Sequence, residues 1–248
     1  MLPPSIRTAD FISDLHLSPE LPRTLAALSG YLRRTKAEAI FILGDLFEAW
    51  VGDDSGALPF EASVVEMLTD AARRCPLYVM RGNRDFLLGT GFFAATGAID
   101  LPDPVVVHAP GISNEPVLLS HGDALCLEDT DYLKFRAQVR TPEWQSAFLA
   151  RPLEERRALA RSMRVQSEDR KRNPSTVWAD VDTDAARQWL RQSGAHTLVH
   201  GHTHRPAHHD LGDGLHRLVL SDWDAAAHPP RAQLLCLSTA GAQRVDLR

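Results

Sequence analysis

Short apolar runs that each close on a polar residue able to bind metal constrain this chain more than any other feature. Ala39–Leu43 runs into Gly44-Asp45, and Leu77–Met80 reaches Gly82-Asn83. Residues 117–119 lead to His121, 197–199 to His202 and His204 in HGHTH, and 9–12 to Asp14 and His16 in DLH. Further apolar runs lie at Val105–Val107, 218–220 and 234–237. Such short, near-continuous hydrophobicity suits strands covered on both faces. Helical patterns separate the first three runs: Leu25, Leu28 and Leu32, then Val64, Leu68 and Ala72. Strand–helix alternation predicts an α/β fold with at least partly parallel strands. The strand ends then share one edge, where the five polar segments can converge. A later helix is predicted from Thr183, burying Ala186, Trp189 and Leu190 and stopping at Gly194 in a left-handed cap.

The residue types at those ends point to a pair of metal ions. One Asp or His after a strand is more often a helix cap than a ligand; five such segments are hard to explain as independent caps. Asp14 and His16, two apart on an extended segment, are expected to point the same way and reach one ion. Asp45 follows a glycine that lets the backbone turn closely, and its carboxylate can bridge both ions. Asn83, His121 and His202 are assigned to the second ion, and His204 returns to the first. Oxygen and imidazole without thiolate suit Mn²⁺, Fe²⁺, Co²⁺ or Zn²⁺. Two such ions activate water and polarise phosphoryl oxygens, so phosphoester hydrolysis is the expected chemistry.

Composition narrows the class. A chain of 248 residues fits one α/β domain, residues 1–248, carrying an insertion. A net charge of −5 argues against a general nucleic-acid binder. Cys75, Cys126 and Cys236 have no paired spacing and read as reduced thiols. There is no signal-peptide pattern and no apolar run long enough to span a bilayer, so a soluble protein is expected. Residues 129–172 differ from the rest: they lack strand signals, carry a Thr141-Pro142 helix start, and hold eleven Lys or Arg against seven Asp or Glu. This segment is predicted to be a helical insertion over the sheet edge. Trp144, Phe148, Leu149 and Met163 are its notable apolar side chains.

The order D-x-H, GD, GN, H, G-H-x-H resembles the calcineurin-like metallophosphoesterase superfamily over nearly the whole chain. That likeness implies a sandwich of two mixed β-sheets flanked by helices, with a dimetal site at the strand ends. Most members carry His after the GN motif, whereas here Arg84 follows Asn83. Arginine binds and neutralises phosphate but cannot usefully donate a proton. A leaving group that needs no general acid, as in pyrophosphate cleavage, fits that change. ISDLHL, GDLFEAWVGDD, GNRDFLLG, HGDALCLED and VHGHTHRP, with the helical insertion as a lid, are similar to the UDP-2,3-diacylglucosamine diphosphatase family of lipid A biosynthesis. The resemblance implies water attacking the α-phosphorus, Mn²⁺ as the ion, and UMP and a diacylglucosamine 1-phosphate as products. It also implies a cytoplasmic protein bound peripherally to the anionic inner-membrane surface of a bacterium. Carried over by motif, Asn83 and Arg84 are catalytic, and Asn83, Arg84, Asp129, Ser167, Lys171 and His202 contact substrate. Pro174 stands where the family places a lysine, and Lys171 or its arginine neighbours can supply that charge. Two alternatives compete. One is a phosphodiesterase or phosphatase for a soluble nucleotide or phosphoprotein, which Arg84 and the insertion disfavour. The other is a non-catalytic scaffold, which should lack ligands.

Overall fold

The computed structural model describes residues 2–3, 5–113, 115–172 and 179–247, the side chains of 166–172 excepted. Two mixed sheets form its centre. In the first, β1 (Thr8–Ile12), β2 (Ala39–Leu43), β3 (Leu77–Met80) and β4 (Ile99–Leu101) run parallel in that order. β10 (Gln233–Ser238) and β11 (Gly241–Asp246) extend it antiparallel beyond β1. In the second sheet β6 (Val117–Ser120), β7 (Thr197–His200) and β9 (Leu215–Val219) are parallel. β5 (Val105–Val107) and β8 (Ala207–Gly212) flank them antiparallel.

Side-chain alternation sorts the core into layers. On β2, Ala39, Phe41 and Leu43 enter the core shared by the two sheets, where Phe41 stacks between Phe11 and Tyr78 at 4.7 and 4.5 Å. Ile40 and Ile42 face the other way, toward a second core with α1 (Pro22–Arg34), α2 (Pro59–Ala72) and α3 (Thr90–Thr96). A third cluster packs α7 (Thr183–Ser193) on the second sheet through Ala186 and Leu190. Asp182 caps α7 by accepting the Ala185 N–H at 2.8 Å. Gly194 ends the helix at φ 68°, the left-handed cap expected there.

The segment expected to be helical forms α4 (Thr130–Val139), α5 (Pro142–Leu149) and α6 (Leu153–Arg172). Thr141 caps α5, its hydroxyl accepting the Trp144 N–H at 3.3 Å, as the Thr-Pro pair predicts. β4, β8 and β11 escaped the sequence reading for a common reason. Asp100 interrupts β4, and β8 and β11 lie at sheet edges with mostly exposed or part-exposed side chains, so none shows a continuous apolar run. All three cysteines are free. No helix among the described residues is long and apolar enough to cross a membrane.

Candidate active site

Both sheets deliver polar side chains to the same end of the sandwich. The loops after β1 and β2 run side by side: the N–H groups of Asp14, His16 and Leu17 donate to the carbonyls of Gly44, Asp45 and Leu46 at 3.1, 3.0 and 2.9 Å. From the second sheet, the Gly201 N–H donates to the His121 carbonyl at 3.0 Å. Across the gap, the His202 N–H donates to the Asp14 carboxylate, 2.9 Å from Oδ2. Glycine makes this approach possible. A Cβ on Gly44, at φ +90°, would meet His121 Nδ1 at 2.4 Å, and one on Gly201 would meet Asp14 Oδ2 at 2.3 Å.

The backbone at the site is itself unusual. Six non-glycine residues have left-handed φ among those described, and Asp14, His16, Asp45, His202 and His204 are five of them. Such conformations cost on the order of 1 kcal/mol or more each and collect at functional sites. They also correct one expectation. Asp14 and His16 do not alternate along an extended strand; they lie beyond β1 at φ 54° and 47°, and the turn rather than strand periodicity aims them.

The seven predicted residues meet. His16 Nε2 and His204 Nε2 are 3.3 Å apart, His204 Nε2 is 3.3 Å from Asp14 Oδ1, and His16 Nε2 is 3.9 Å from Asp45 Oδ2. On the other side Asn83 Oδ1 lies 2.8 Å from His121 Nε2 and 2.9 Å from His202 Nδ1, with Asp45 Oδ1 3.7 Å from His121 Nε2. Two overlapping groups, Asp14–His16–His204 and Asp14–Asp45–His121, each offer ligand atoms within 4.8 Å of one another. Atoms bound about 2.1 Å from one ion stand roughly 3 to 3.5 Å apart. The donor set and its spacing therefore fit a pair of divalent ions.

Charge argues the same way. Asp14, Asp45 and His121 are buried. Burial opposes ionisation of Asp14, but the hydrogen bond and charge of His204, helped by His121 and His16, hold its carboxyl below the usual range. Burial pushes Asp45 up to about 7; His121 and Arg84 oppose this, while Asp85 and Asp14 reinforce it. Burial would keep His121 neutral, yet Asp45, Asp123 and Asp14 raise it to about 9. The His121 Nδ1–H donates to the Leu43 carbonyl at 2.9 Å, so Nε2 takes the extra proton, in the space a cation would fill. His202 is lowered to about 3 by burial and by the nearby His121.

The family model of calcineurin-like phosphoesterases matches residues 8–206. The chain belongs to the calcineurin-like phosphoesterase family. Among curated members, the UDP-2,3-diacylglucosamine hydrolase of Chromobacterium violaceum is 48% identical over 245 residues, covering 96% of this chain and 98% of that one. That of Bordetella pertussis is 43% identical, covering 95% and 93%. Among solved structures, an archaeal phosphodiesterase shares the fold with a TM-score of 0.50 and 12% identity, covering 97% of this chain and 99% of that one.

Within this calcineurin-like site, Arg84 stands beside the cluster. Its N–H donates to Asp45 Oδ1 at 2.8 Å, and its guanidinium lies 3.3 Å from Glu48 Oε1. Asp129 is exposed and caps α4, accepting the Tyr132 N–H at 3.1 Å. The side chains of Ser167 and Lys171, and all of Pro174, lie outside the described residues. Sequence reasoning missed several supports. Asp85 is fully buried and accepts N–H groups from Gly82 and Leu46 at 2.7 and 2.8 Å, joining the GD and GN loops. Glu48 joins three parts of the chain: its carboxylate is 3.4 Å from His16 Nδ1, 3.3 Å from Arg84 and 3.2 Å from Arg164. Asp85 and Glu48 fall two and three residues past an expected ligand, the only signal that marks them.

Proposed function

We propose that this phosphoesterase hydrolyses the pyrophosphate bond of UDP-2,3-diacylglucosamine to UMP and 2,3-diacylglucosamine 1-phosphate (lipid X), a step of lipid A biosynthesis. The observation that carries this reading is the 48% identity, across nearly the full length of both chains, to a hydrolase of that substrate. The site supports it. Asp14, His16, Asp45 and His204 would hold one divalent ion, and Asp45, Asn83, His121 and His202 the other, with Mn²⁺ the native metal. When bound, such a pair supplies acidified water and neutralises charge on phosphoryl oxygens.

The chain's own residues do the rest. Arg84 keeps its charge at any working pH and neutralises the diphosphate, while its backbone N–H orients Asp45. Asn83 and Arg84 act on the reacting phosphate, and Asp129, Ser167, Lys171 and His202 complete the substrate contacts. A phosphate monoester leaves without needing a proton from the protein, which suits an arginine there. Helices α4–α6, residues 129–172, serve as a lid for the acyl chains. Five large hydrophobic side chains are exposed among the described residues, and Leu127, Leu149, Met163 and Val165 are four of them. Burying acyl methylenes there is worth about 0.8 kcal/mol each. The same apolar and cationic surface would hold the protein on the anionic cytoplasmic face of the bacterial inner membrane.

Hydrolysis in ¹⁸O-water tests the reaction. The purified protein is expected to cleave UDP-2,3-diacylglucosamine and place label in UMP. Label in the sugar phosphate would reverse the attack, and faster turnover of bis-p-nitrophenyl phosphate would reject the substrate.

A further inference from the structure

Helix α4 turns one face toward half of the candidate metal cluster. Tyr132, Arg136 and Arg140 follow at four-residue spacing and so share that face. All three meet the fully buried Asp123. The Tyr132 hydroxyl donates to Asp123 Oδ2, Arg136 Nε donates to the same oxygen at 2.8 Å, and Arg140 lies 3.6 Å away. From this anchor three contacts spread. Arg140 donates to the Gly82 carbonyl at 3.0 Å, one residue before Asn83. Arg136 lies 3.5 Å from Asp103 Oδ2, and Asp103 Oδ1 accepts the His121 N–H at 3.3 Å and the Ser120 hydroxyl at 2.7 Å. The Tyr132 ring lies over His202, centroids 5.9 Å apart and planes inclined by 28°.

Of the three ligands, His202 is met directly, His121 through Asp103, and Asn83 through the carbonyl of the preceding Gly82. None of the contacts reaches Asp14, His16 or His204. We propose that Asp123, Tyr132, Arg136 and Arg140 are positioning residues for one ion of the pair, that at Asn83, His121 and His202, making the first helix of the insertion part of the metal centre. The inference rests on the dimetal reading above. Its physical basis is that groups behind the ligands fix their orientation, and losing one commonly weakens metal binding about 10- to 100-fold. The low-dielectric surroundings of a buried carboxylate make its guanidinium partners hard to replace with water.

Calorimetric titration of the metal-stripped full chain with Mn²⁺ tests this, alongside the variants Asp123→Asn, Tyr132→Phe and Arg140→Gln. The native chain is expected to bind two ions. In the variants one ion should weaken by at least about tenfold while the other stays within about twofold. Tyr132→Phe keeps the ring and its packing, so it remains informative should Asp123→Asn fail to fold. A lowered melting temperature with both affinities unchanged would make the cluster merely structural and overturn the proposal, as would equal weakening of both ions. A native chain that binds fewer than two ions would overturn the dimetal reading itself, a result distinct from either.

Discussion

Individual side chains here are aimed by an uncommon backbone. Left-handed φ at Asp14, His16, Asp45, His202 and His204 turns each one away from its strand and into a shared space. Removing a residue of that space should remove the chemistry: Asp45→Ala and His121→Ala are expected to lower turnover by at least about a thousandfold, measured against folded protein. Near-native rates in both would mean the cluster is not the active site. Arg84→Ala should cost about a hundredfold through lost phosphate stabilisation. Its pH–rate profile should keep its shape, because a guanidinium stays charged throughout. A missing limb in that profile would assign Arg84 to proton transfer instead. At this scale the sequence was most informative about ligand types and least about their supports. Asp85, Glu48 and Asp103 act through backbone N–H groups and neighbouring charges, and no spacing rule marks a residue for that role.

Among the elements, α5 and α6 divide the insertion's apolar side chains between two tasks. Trp144 stacks on Phe148 at 4.9 Å and packs near Phe86 at 6.0 Å, while Phe148 is buried in the helix-side core. These rings hold the insertion on the body. Met163 and Val165 on α6 are 39% and 57% exposed, and they are the better candidates for acyl contact. Met163→Asp with Val165→Asp is therefore expected to raise KM for acylated substrate about tenfold or more, and that for a deacylated analogue hardly at all. Equal effects on both substrates would place the two residues in the fold rather than at the chains. All four are apolar residues of the same segment, and burial separates the two groups.

For the whole molecule, the buried charges of the site couple stability to pH and metal. His121 at about 9 and Asp45 at about 7 both hold protons more tightly folded than unfolded. The His121 contribution is complete below its ordinary value of 6.5 and is lost as pH rises through about 9. The Asp45 contribution is complete below 3.8 and is lost as pH rises through about 7. Below pH 6.5 the Asp45 loss is opposed by His202, which is held neutral in the fold and gains stability as pH rises from about 3 to 6.5. Metal-stripped protein should thus melt at progressively lower temperature between about pH 6.5 and pH 9. Added Mn²⁺ should raise the melting temperature most at the alkaline end, where the ion displaces no proton. A stripped protein whose melting temperature rises across that window would contradict the assigned burial of charge.

Much of this protein was determined by local pattern. Continuous β-branched apolar runs such as Ala39–Leu43 suit covered strands, helical spacing marks α1, α2 and α7, and glycine beside Asp45, Asn83 and His202 marks close turns. Those features depend on residues near one another in the chain, so they are legible in its letters. Tertiary structure alone decided how the two sheets face each other and which turn bends left-handed. It also decided that α4 leans on Asp123 while α5 packs away from it. These depend on distances between residues far apart in sequence, where energy is set by shared burial and charge rather than by neighbouring side chains.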